Sequence, residues 1–323
     1  MNRRIFGTVV LAALAAPAFC RAQVELKFKH VEGRERELRQ VVKTDQILTI
    51  NGMDLTTKVE QVVMMRVRTG KREADGKLPV RVNFDAIQQD MDLPGGLKFT
   101  FDSKHPEDAK VSNPALDIIK DIDNAIVGGG YTILLDKDDH VTAIEGAEAV
   151  VSKAGEINPK AAEAIKKQFD PATLKRGTEQ EYAVVEPGLV RPGDTWERTE
   201  IEEIGQGQTI TYKRKYEYLG TVEKNDKQYD RIGVKALEAT YAMDPASDNP
   251  VKVANGDLKV ESTEGEVLFD RAGGYVYETR SRDRLKGKLA LTINGMEFPA
   301  DLDLTFDQST TLASEPGRVD EKK

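Results

Sequence analysis

Cysteine is nearly absent from this chain of 323 residues, and the single one is Cys20. One thiol cannot build an internal disulfide framework, and it cannot supply a cysteine-rich zinc site. The chain also has no Gly-x-Ser-x-Gly motif, which forms the nucleophile turn of many serine hydrolases. The sequence therefore excludes disulfide scaffolds, thiolate metal centres and that class of hydrolase.

Positive charge is scarce relative to negative charge. The chain has 47 Lys and Arg residues against 55 Asp and Glu residues, for a formal net charge of −8. The basic residues are interleaved with acids, as at positions 33–37, whereas phosphate backbones require clustered basic residues. Nucleic-acid binding is therefore excluded as a function. Attraction to anionic membrane surfaces is disfavoured for the same reason.

The beginning of the chain has the pattern of a secretory signal peptide. Arg3 and Arg4 are followed by fifteen residues without a charge, positions 5–19, and this run is shorter than a membrane-spanning helix needs. We expect cleavage between Ala22 and Gln23. Cleavage after Cys20 and acylation of Cys20 are the alternatives, and Phe19 before the cysteine disfavours acylation.

These features predict an exported protein, periplasmic or extracellular. We expect its mature chain to contain no cysteine and no transmembrane segment.

A six-residue sequence occurs twice, and in both copies it is typical of a hairpin tip. Residues 48–53 and 291–296 both read Leu-Thr-Ile-Asn-Gly-Met. Asn-Gly between alternating runs favours a two-residue type I′ turn, because both central residues need positive φ. The repetition has two explanations, duplication of one half of the chain or convergence on good turn chemistry.

Alternating apolar and polar residues dominate the chain and predict antiparallel strands. The clearest case is the segment 284–308, which reads as one long hairpin with one dry face and one wet face. We predict a mainly β (α+β) fold with two antiparallel, curved β halves that contain long hairpins and are joined by a helical middle segment.

Helix signals are confined to the middle of the chain. Asn113-Pro114 predicts a helix over 114–127 that ends at Gly128, and Asn158-Pro159 and Asp170-Pro171 predict two further helix starts. The predicted organisation is a signal peptide 1–22, an N-terminal β half 23–145, a helical connector 146–182, a C-terminal β half 183–312 and a disordered tail 313–323.

Three motifs occur in an order that resembles a known family. They are Phe-Asp-Ser-Lys-His-Pro-Glu-Asp at 101–108 with the helix after it, Arg-Pro-Gly-Asp-Thr-Trp at 191–196, and Gly-Glu-Val-Leu-Phe-Asp at 265–270. The chain resembles an uncharacterised domain-of-unknown-function family of exported bacterial β-rich proteins. The resemblance implies a secreted two-part β protein, and it implies no catalytic residue. The chain departs from the family in its high charge and in the glycine run 128–130.

Two short clusters contain carboxylates and an imidazole. Asp102, His105, Glu107 and Asp108 contain groups that bind divalent cations or act as acid and base, but the pattern is also typical of a polar turn. Residues 136–140 resemble the start of a calcium loop, yet Val141 and Ala147 replace the required Gly and Glu. We interpret both clusters as turns and expect the histidines to be surface residues. No catalytic, cofactor-binding or metal-binding residue is predicted.

The remaining candidate for a binding surface is aromatic. Five tyrosines share strand parities and form our candidate ligand face: Tyr212, Tyr216, Tyr218, Tyr275 and Tyr277. Curved antiparallel sheets enclose apolar ligands, but tyrosines are also ordinary strand residues.

We predict that the leading role is that of a non-enzymatic binding or interaction module of the cell envelope, and carriage of an apolar ligand such as a lipid is one form that this role can take. The expected partner is an apolar small molecule or another envelope protein. The alternatives are a structural or assembly protein and a carboxylate- or metal-dependent hydrolase. A carrier requires a continuous cavity lined by apolar side chains.

Overall fold

One large antiparallel sheet is the centre of the computed structural model. The structure describes residues 23–111, 113, 116–185, 188–205, 207–244, 251–253, 256–293, 295–314 and 317–318. The predicted signal peptide, with Ala22, lies outside these residues.

The strands are β1 (Val24–Glu25), β2 (Arg34–Ile50), β3 (Met53–Thr69), β4 (Leu78–Leu93), β5 (Leu97–Asp102), β6 (Lys110–Val111), β7 (Gly130–Leu135), β8 (Val141–Glu145), β9 (Leu189–Val190), β10 (Thr195–Gly205), β11 (Gln208–Lys224), β12 (Lys227–Met243), β13 (Val251–Val253), β14 (Gly256–Asp270), β15 (Tyr275–Ile293), β16 (Met296–Leu312) and β17 (Gly317–Arg318). The helices are α1 (Asp117–Ile126), α2 (Glu148–Ile157), α3 (Pro159–Ile165) and α4 (Pro171–Tyr182).

The strand order joins the two ends of the chain in one sheet. The main path runs β10-β11-β12-β14-β15-β16-β2-β3-β4-β5-β6, and β7 pairs with both β4 and β8. The seam is the pairing of β16 with β2, from Ala300 opposite Ile50 to Leu312 opposite Leu38. The predicted mainly β fold with antiparallel sheets and a helical middle segment is confirmed.

The first repeated Asn-Gly sequence forms the predicted tight turn. Ile50 pairs with Met53, and the two residues between them, Asn51 and Gly52, have φ of 52° and 79°. At the second copy Ile293 pairs with Met296 and Gly295 has φ of 79°, whereas Asn294 lies outside the described residues. Long strands flank both turns, so the predicted hairpin over 284–308 is confirmed.

The helices begin where the capping residues predict. The Asn158 side chain accepts a hydrogen bond from the Lys160 N–H at the start of α3, and the Asp170 side chain caps α4 in the same way through the Ala172 N–H. The predicted helix start Pro114 lies outside the described residues, and the described helix α1 begins at Asp117.

The glycine run after α1 allows two paired strands to approach closely at one end of their ladder. Gly128 ends the helix with φ of 76°. A Cβ on Gly130 would lie 2.0 Å from the carbonyl oxygen of Val82, so only glycine lets β7 approach β4 here.

Part of the segment 313–323, predicted to be a disordered tail, is instead paired with the sheet. Gly317 and Arg318 form β17, which pairs with Glu35 and Arg34 on β2, and the Ala313 N–H donates a hydrogen bond to the Glu37 carbonyl. Residues 315, 316 and 319–323 lie outside the described part of the chain. The backbone groups exposed along the start of β2 explain why this segment adds to the sheet.

Helix α4 bridges the two ends of the sheet. It packs against β8 on one side, and on the other its Gln180 side chain exchanges two hydrogen bonds with the backbone of Ile201 on β10, at 2.8 and 3.1 Å. Arg176 also pairs with Glu203 at 2.7 Å. Since β8 and β10 are far apart in the strand order, the sheet must curve strongly to bring both to one helix. Helices α1–α3 pack on the apolar side of β4, β7 and β8.

Candidate functional site: a cavity beneath helix α4

A cavity of about 540 Å³ lies between the curved sheet and α4. This volume is within the usual range of small-ligand sites, about 300–1,000 Å³. Its apolar wall consists of Leu38, Met65, Val67, Val80, Val82, Phe84, Ile133, Val184, Val234, Val267 and Val276. Its polar and aromatic wall includes Arg36, Tyr131, Gln180, Glu181, Tyr182, Glu200, Glu202, Arg214, Tyr216, Tyr277, Arg280 and Gln308. The cavity therefore has an amphipathic interior.

The apolar wall follows from strand alternation in the N-terminal half. Val80 and Val82 on β4 are buried, whereas Arg81 between them is exposed on the opposite face. Val67 of β3 lies directly opposite Val82, and Ile133 of β7 lies opposite Val80. These β-branched residues form one continuous surface because neighbouring strands present the same parity to the same face.

The polar wall comes from an exception to the same alternation. On β11 the residues Ile210, Tyr212, Tyr216 and Tyr218 are buried, and the inward position between them is occupied by Arg214. A charged side chain at such a position needs ionic partners, because burial without them is costly. The neighbouring strand β10 supplies two of them, and β15 supplies the third.

Arg214 is held by three carboxylates. Its Nε lies 3.1 Å from Glu200 Oε2, its Nη2 2.9 Å from Glu202 Oε1, and its Nη1 2.9 Å from Asp283 Oδ2 on β15. The Arg214 side chain is 4% exposed and that of Asp283 is 1% exposed. Burial would lower the pKa of Arg214, but the three carboxylates raise it above its ordinary value. Arg214 is therefore a permanent cation in the wall.

Two carboxylate oxygens of this cluster have no partner. Glu202 Oε2 and Asp283 Oδ1 are buried, and neither accepts a hydrogen bond from any described residue. Burial raises the pKa of Glu202, and Arg214 opposes that rise. The hydroxyl of Tyr216 donates to Glu200, and the guanidinium of Arg214 lies 4.1 Å from the ring centre of Tyr212. The cluster thus has spare hydrogen-bond acceptors beside the cavity.

A second charged group lies on α4. Glu181 lines the cavity, and its carboxylate makes no ion pair or hydrogen bond with another described residue. Although Glu181 is exposed towards the cavity, desolvation by the surrounding protein raises its pKa, and the charge of Arg36 partly opposes this. Arg36 itself lies 5.5 Å from the ring centre of Tyr275. Glu181 also helps to raise the pKa of Tyr131 and Tyr182, although burial is the larger cause for both.

The five candidate tyrosines do not share one surface. Tyr216 and Tyr277 line the cavity. Tyr212 is buried beneath Arg214, and the Tyr218 hydroxyl donates to Asp230 at 2.7 Å. The Tyr275 ring lies beneath Arg34 and Arg36.

Sequence reasoning missed the residues that give the cavity its charge: Glu181, Glu200, Glu202, Arg214 and Asp283. A signal was present for one of them. Arg214 occupies the buried parity of the segment from Ile210 to Tyr218, where an isolated charge marks a polar feature inside the fold. No comparable local signal identifies Asp283, because its strand is separated from β11 along the sheet.

The two carboxylate and histidine clusters form surface turns away from this cavity. Asp136 Oδ1 accepts hydrogen bonds from the N–H groups of Asp138 and His140, as expected for a tight turn. Asp102 Oδ1 accepts from the Lys104 N–H. His105, Glu107 and Asp108 are exposed with their ligand atoms close together. The turn interpretation explains the hydrogen bonds of both segments.

The prediction that the histidines are surface residues is wrong for His30. Its ring centre lies 5.3 Å from that of Tyr182, and its Nε2 is buried without a hydrogen-bond partner. Burial lowers the pKa of His30 to about 4, and Arg36, Arg34 and Arg72 contribute to the decrease while Asp139 opposes it. The segment after β1 packs under α4, which the sequence around His30 does not indicate.

None of the helices in the described part of the chain is long and apolar enough to cross a membrane.

Comparisons with known proteins give distant structural similarities and one family match, and they give no activity. The lipovitellin structure titled for lipid–protein interactions is 8% identical, with a TM-score of 0.45 over 91% of this chain and 26% of that chain. The chain thus spans about a quarter of the length of that protein.

The β domain of the Bordetella autotransporter Brka is 8% identical, with a TM-score of 0.20 over 86% of this chain and 98% of that chain. A DUF1329 family protein from Desulfovibrio piger is 7% identical, with a TM-score of 0.14 over 86% of each chain. No curated protein matches the sequence. A family model described as a family of unknown function, DUF6263, matches residues 75–262, more than half of the chain.

Proposed function

The chain belongs to the DUF6263 family, and because that family has no established function, we propose a role from the geometry of the cavity. The protein is an exported, non-enzymatic binding protein of the cell envelope that carries an apolar small molecule beneath α4. The signal-peptide pattern of residues 1–22 supports export. The main support for an apolar ligand is the continuous apolar wall that β2, β3, β4 and β7 form along the cavity.

The shape of the cavity supports carriage of a ligand with a hydrocarbon part. A filled interior would leave no room for one, whereas the volume of about 540 Å³ is that of a small-ligand site. The apolar wall is made of Val, Leu, Ile, Met and Phe side chains, and burial against it is worth about 25 cal/mol for each Å² of apolar ligand surface removed from water. Binding then follows from burial of the ligand chain rather than from chemistry on it.

The contacts of α4 support a route for entry. The helix is attached to β10 through the Gln180 amide and the ion pair of Arg176 with Glu203, both of which are partly exposed. Polar contacts of this kind contribute about 1 kcal/mol each. The edge between α4 and β10 is therefore our proposed entry route.

Filling the cavity tests this function. The purified protein is titrated with an environment-sensitive alkyl fluorophore, and organic extracts of protein isolated from its own envelope are analysed by mass spectrometry. We expect saturable binding by the wild type and at least tenfold weaker binding by Val82→Trp, whose indole occupies the cavity. Val276→Trp on the opposite wall is a second cavity-filling variant, and Arg81→Trp on the exposed face of β4 is the matched control.

Equal binding by folded cavity-filling variants and wild type would refute the carrier function. Circular dichroism establishes that each variant is folded before its binding is compared. Absence of any alkyl binding by the wild type would refute it as well.

A structural or assembly role is the second candidate, and one observation favours it. Met53 and Met296 follow the two hairpin turns and are 66% and 59% exposed. Because β2 and β16 are neighbours, both tips lie at the same end of the sheet. If they form a contact between molecules, light scattering will show concentration-dependent oligomers that Met53→Ser with Met296→Ser abolishes. A monomer at all concentrations would exclude self-assembly through these tips.

A further inference from the structure

We propose that the ligand head group is a positively charged amine, bound by Glu202 and Glu200 beside Arg214 while the apolar wall holds the hydrocarbon part. This inference rests on the proposed carrier function, because it concerns the same cavity. It specifies the ligand class as a cationic amphiphile.

The charge balance of the Arg214 cluster is the first reason. Three carboxylates, Glu200, Glu202 and Asp283, lie within 3.1 Å of one guanidinium. Among the described residues no second cation lies within ion-pair distance of these three groups. The ionised cluster therefore lacks positive charge, and uncompensated charge inside a protein is costly. A cationic head group would supply the missing charge.

The unfilled acceptor is the second reason. Arg214 Nη2 and the more distant Gln308 Nε2, at 2.9 and 3.5 Å, both approach Glu202 Oε1. Glu202 Oε2 is buried without a partner in the described structure, and Glu202 lines the cavity. An ammonium group has three N–H donors and no acceptor, so it matches an empty carboxylate oxygen. A carboxylate or phosphate head group would add acceptors where acceptors are already in excess.

The arginines of the wall do not create a matching anion site. Arg280 pairs with Glu278 at 2.5 Å. Arg36 lies over the Tyr275 ring, and the carboxylate of Glu181 is close enough for Arg36 to oppose the burial-induced rise of its pKa. Each of these cations therefore has an anion or an aromatic ring beside it, whereas the surplus charge near Arg214 is negative.

The aromatic residues of the wall are suited to the same ligand. The rings of Tyr131, Tyr182, Tyr216 and Tyr277 line the cavity. The face of an aromatic ring attracts an ammonium or alkylammonium group electrostatically, and most strongly where water is excluded. The Tyr216 hydroxyl also donates a hydrogen bond to Glu200, so one aromatic ring and one carboxylate of the site lie side by side.

Ligands with one chain and three head groups test the inference. Dodecylammonium, dodecanol and dodecanoate are titrated at pH 8 by displacement of the alkyl fluorophore, each below the concentration at which it forms micelles or separates from solution. We expect dodecylammonium to bind about 10- to 100-fold more tightly than dodecanol, as a charge-assisted hydrogen bond predicts, and dodecanoate to bind most weakly. Glu202→Gln should remove the preference by weakening dodecylammonium binding to about the level of dodecanol binding in the same variant.

The matched control is Glu197→Gln. Glu197 lies on β10 with Glu202, but it is half exposed and pairs with Lys213 at 3.1 Å outside the cavity. This variant should keep the wild-type preference. If Glu202→Gln does not fold, Glu202→Asp tests the same point, because withdrawing the carboxylate should reduce the preference at least threefold.

The outcomes separate the two proposals. If none of the three ligands binds, the carrier function itself fails. If dodecanol or dodecanoate binds as tightly as dodecylammonium, the carrier function stands and the cationic head group is refuted. A wild-type preference for dodecylammonium that persists in a folded Glu202→Gln or Glu202→Asp variant also refutes the assignment of this site.

Discussion

Asp123 on α1 provides a quantitative test of the structure. Its side chain is 2% exposed, and its Oδ2 has no hydrogen-bond partner among the described residues. Burial raises the pKa of Asp123 from 3.8 to about 7. The folded protein therefore binds a proton at this site that the unfolded chain has already released, between about pH 4 and pH 7. The stability that the folded protein gains from keeping this proton is fully present below pH 3.8 and is lost as the pH rises through about 7.

The magnitude follows from the difference in pKa. The pKa values of Asp123 in the folded and unfolded protein differ by about 3. Each pKa unit is worth about 1.36 kcal/mol, so the difference corresponds to about 4 kcal/mol of unfolding free energy. Asn has the shape of Asp and cannot ionise. We therefore expect Asp123→Asn to raise the unfolding free energy at pH 8 by about 2–4 kcal/mol and to leave it nearly unchanged at pH 4.

Urea unfolding, followed by circular dichroism at both pH values, measures this difference. Asp117→Asn is the matched control, because Asp117 lies on the same helix, is half exposed and is 3.4 Å from Lys120 Nζ. An exposed pair of this kind contributes less than about 1 kcal/mol, so this control should change little at either pH. An effect of Asp123→Asn that is equal at the two pH values, or a lower stability at pH 8, would refute the reasoning.

Four further substitutions probe other parts of the fold. Arg214→Met leaves buried carboxylates without their cation and should lower the unfolding free energy by about 3–5 kcal/mol in urea titrations; an unchanged midpoint contradicts this. Gly130→Ala forces a Cβ against Val82 and should cost about 1–3 kcal/mol, whereas Gly177→Ala within α4 meets no neighbour and should stabilise. Burial depresses the pKa of His30, so the wild type should lose about 3 kcal/mol of unfolding free energy as the pH falls from 6.5 to 4. His30→Leu should not show this loss. A stability difference that does not vary over this range would contradict it.

Local elements were predictable because their determinants lie within a few residues. Asn51-Gly52 adopts the positive φ values that its turn requires. Asn158 and Asp170 each cap a helix through the backbone two residues later. The alternation over 284–308 defines one hairpin, since side chains on neighbouring positions point to opposite faces. In each case the physical cause and the sequence signal are the same feature.

Long-range arrangement was not predictable in the same way. The pairing of β16 with β2 depends on which strand edges remain free, and alternation alone carries no information about that choice. The position of α4 across the ends of the sheet likewise depends on the total curvature of many strands. Arg214 shows the intermediate case, because its inward parity was visible in the sequence but its partner Asp283 was not.

The seam between β2 and β16 has a consequence for biogenesis. Thr311 and Arg39 meet across it although 272 positions separate them in the sequence. A polypeptide that emerges from a ribosome or a secretion channel with its amino end first cannot complete this ladder until almost its whole length is available. The unpaired edge of β2 must therefore wait for the final strand, and a product truncated before 296 would leave that edge free to recruit other chains.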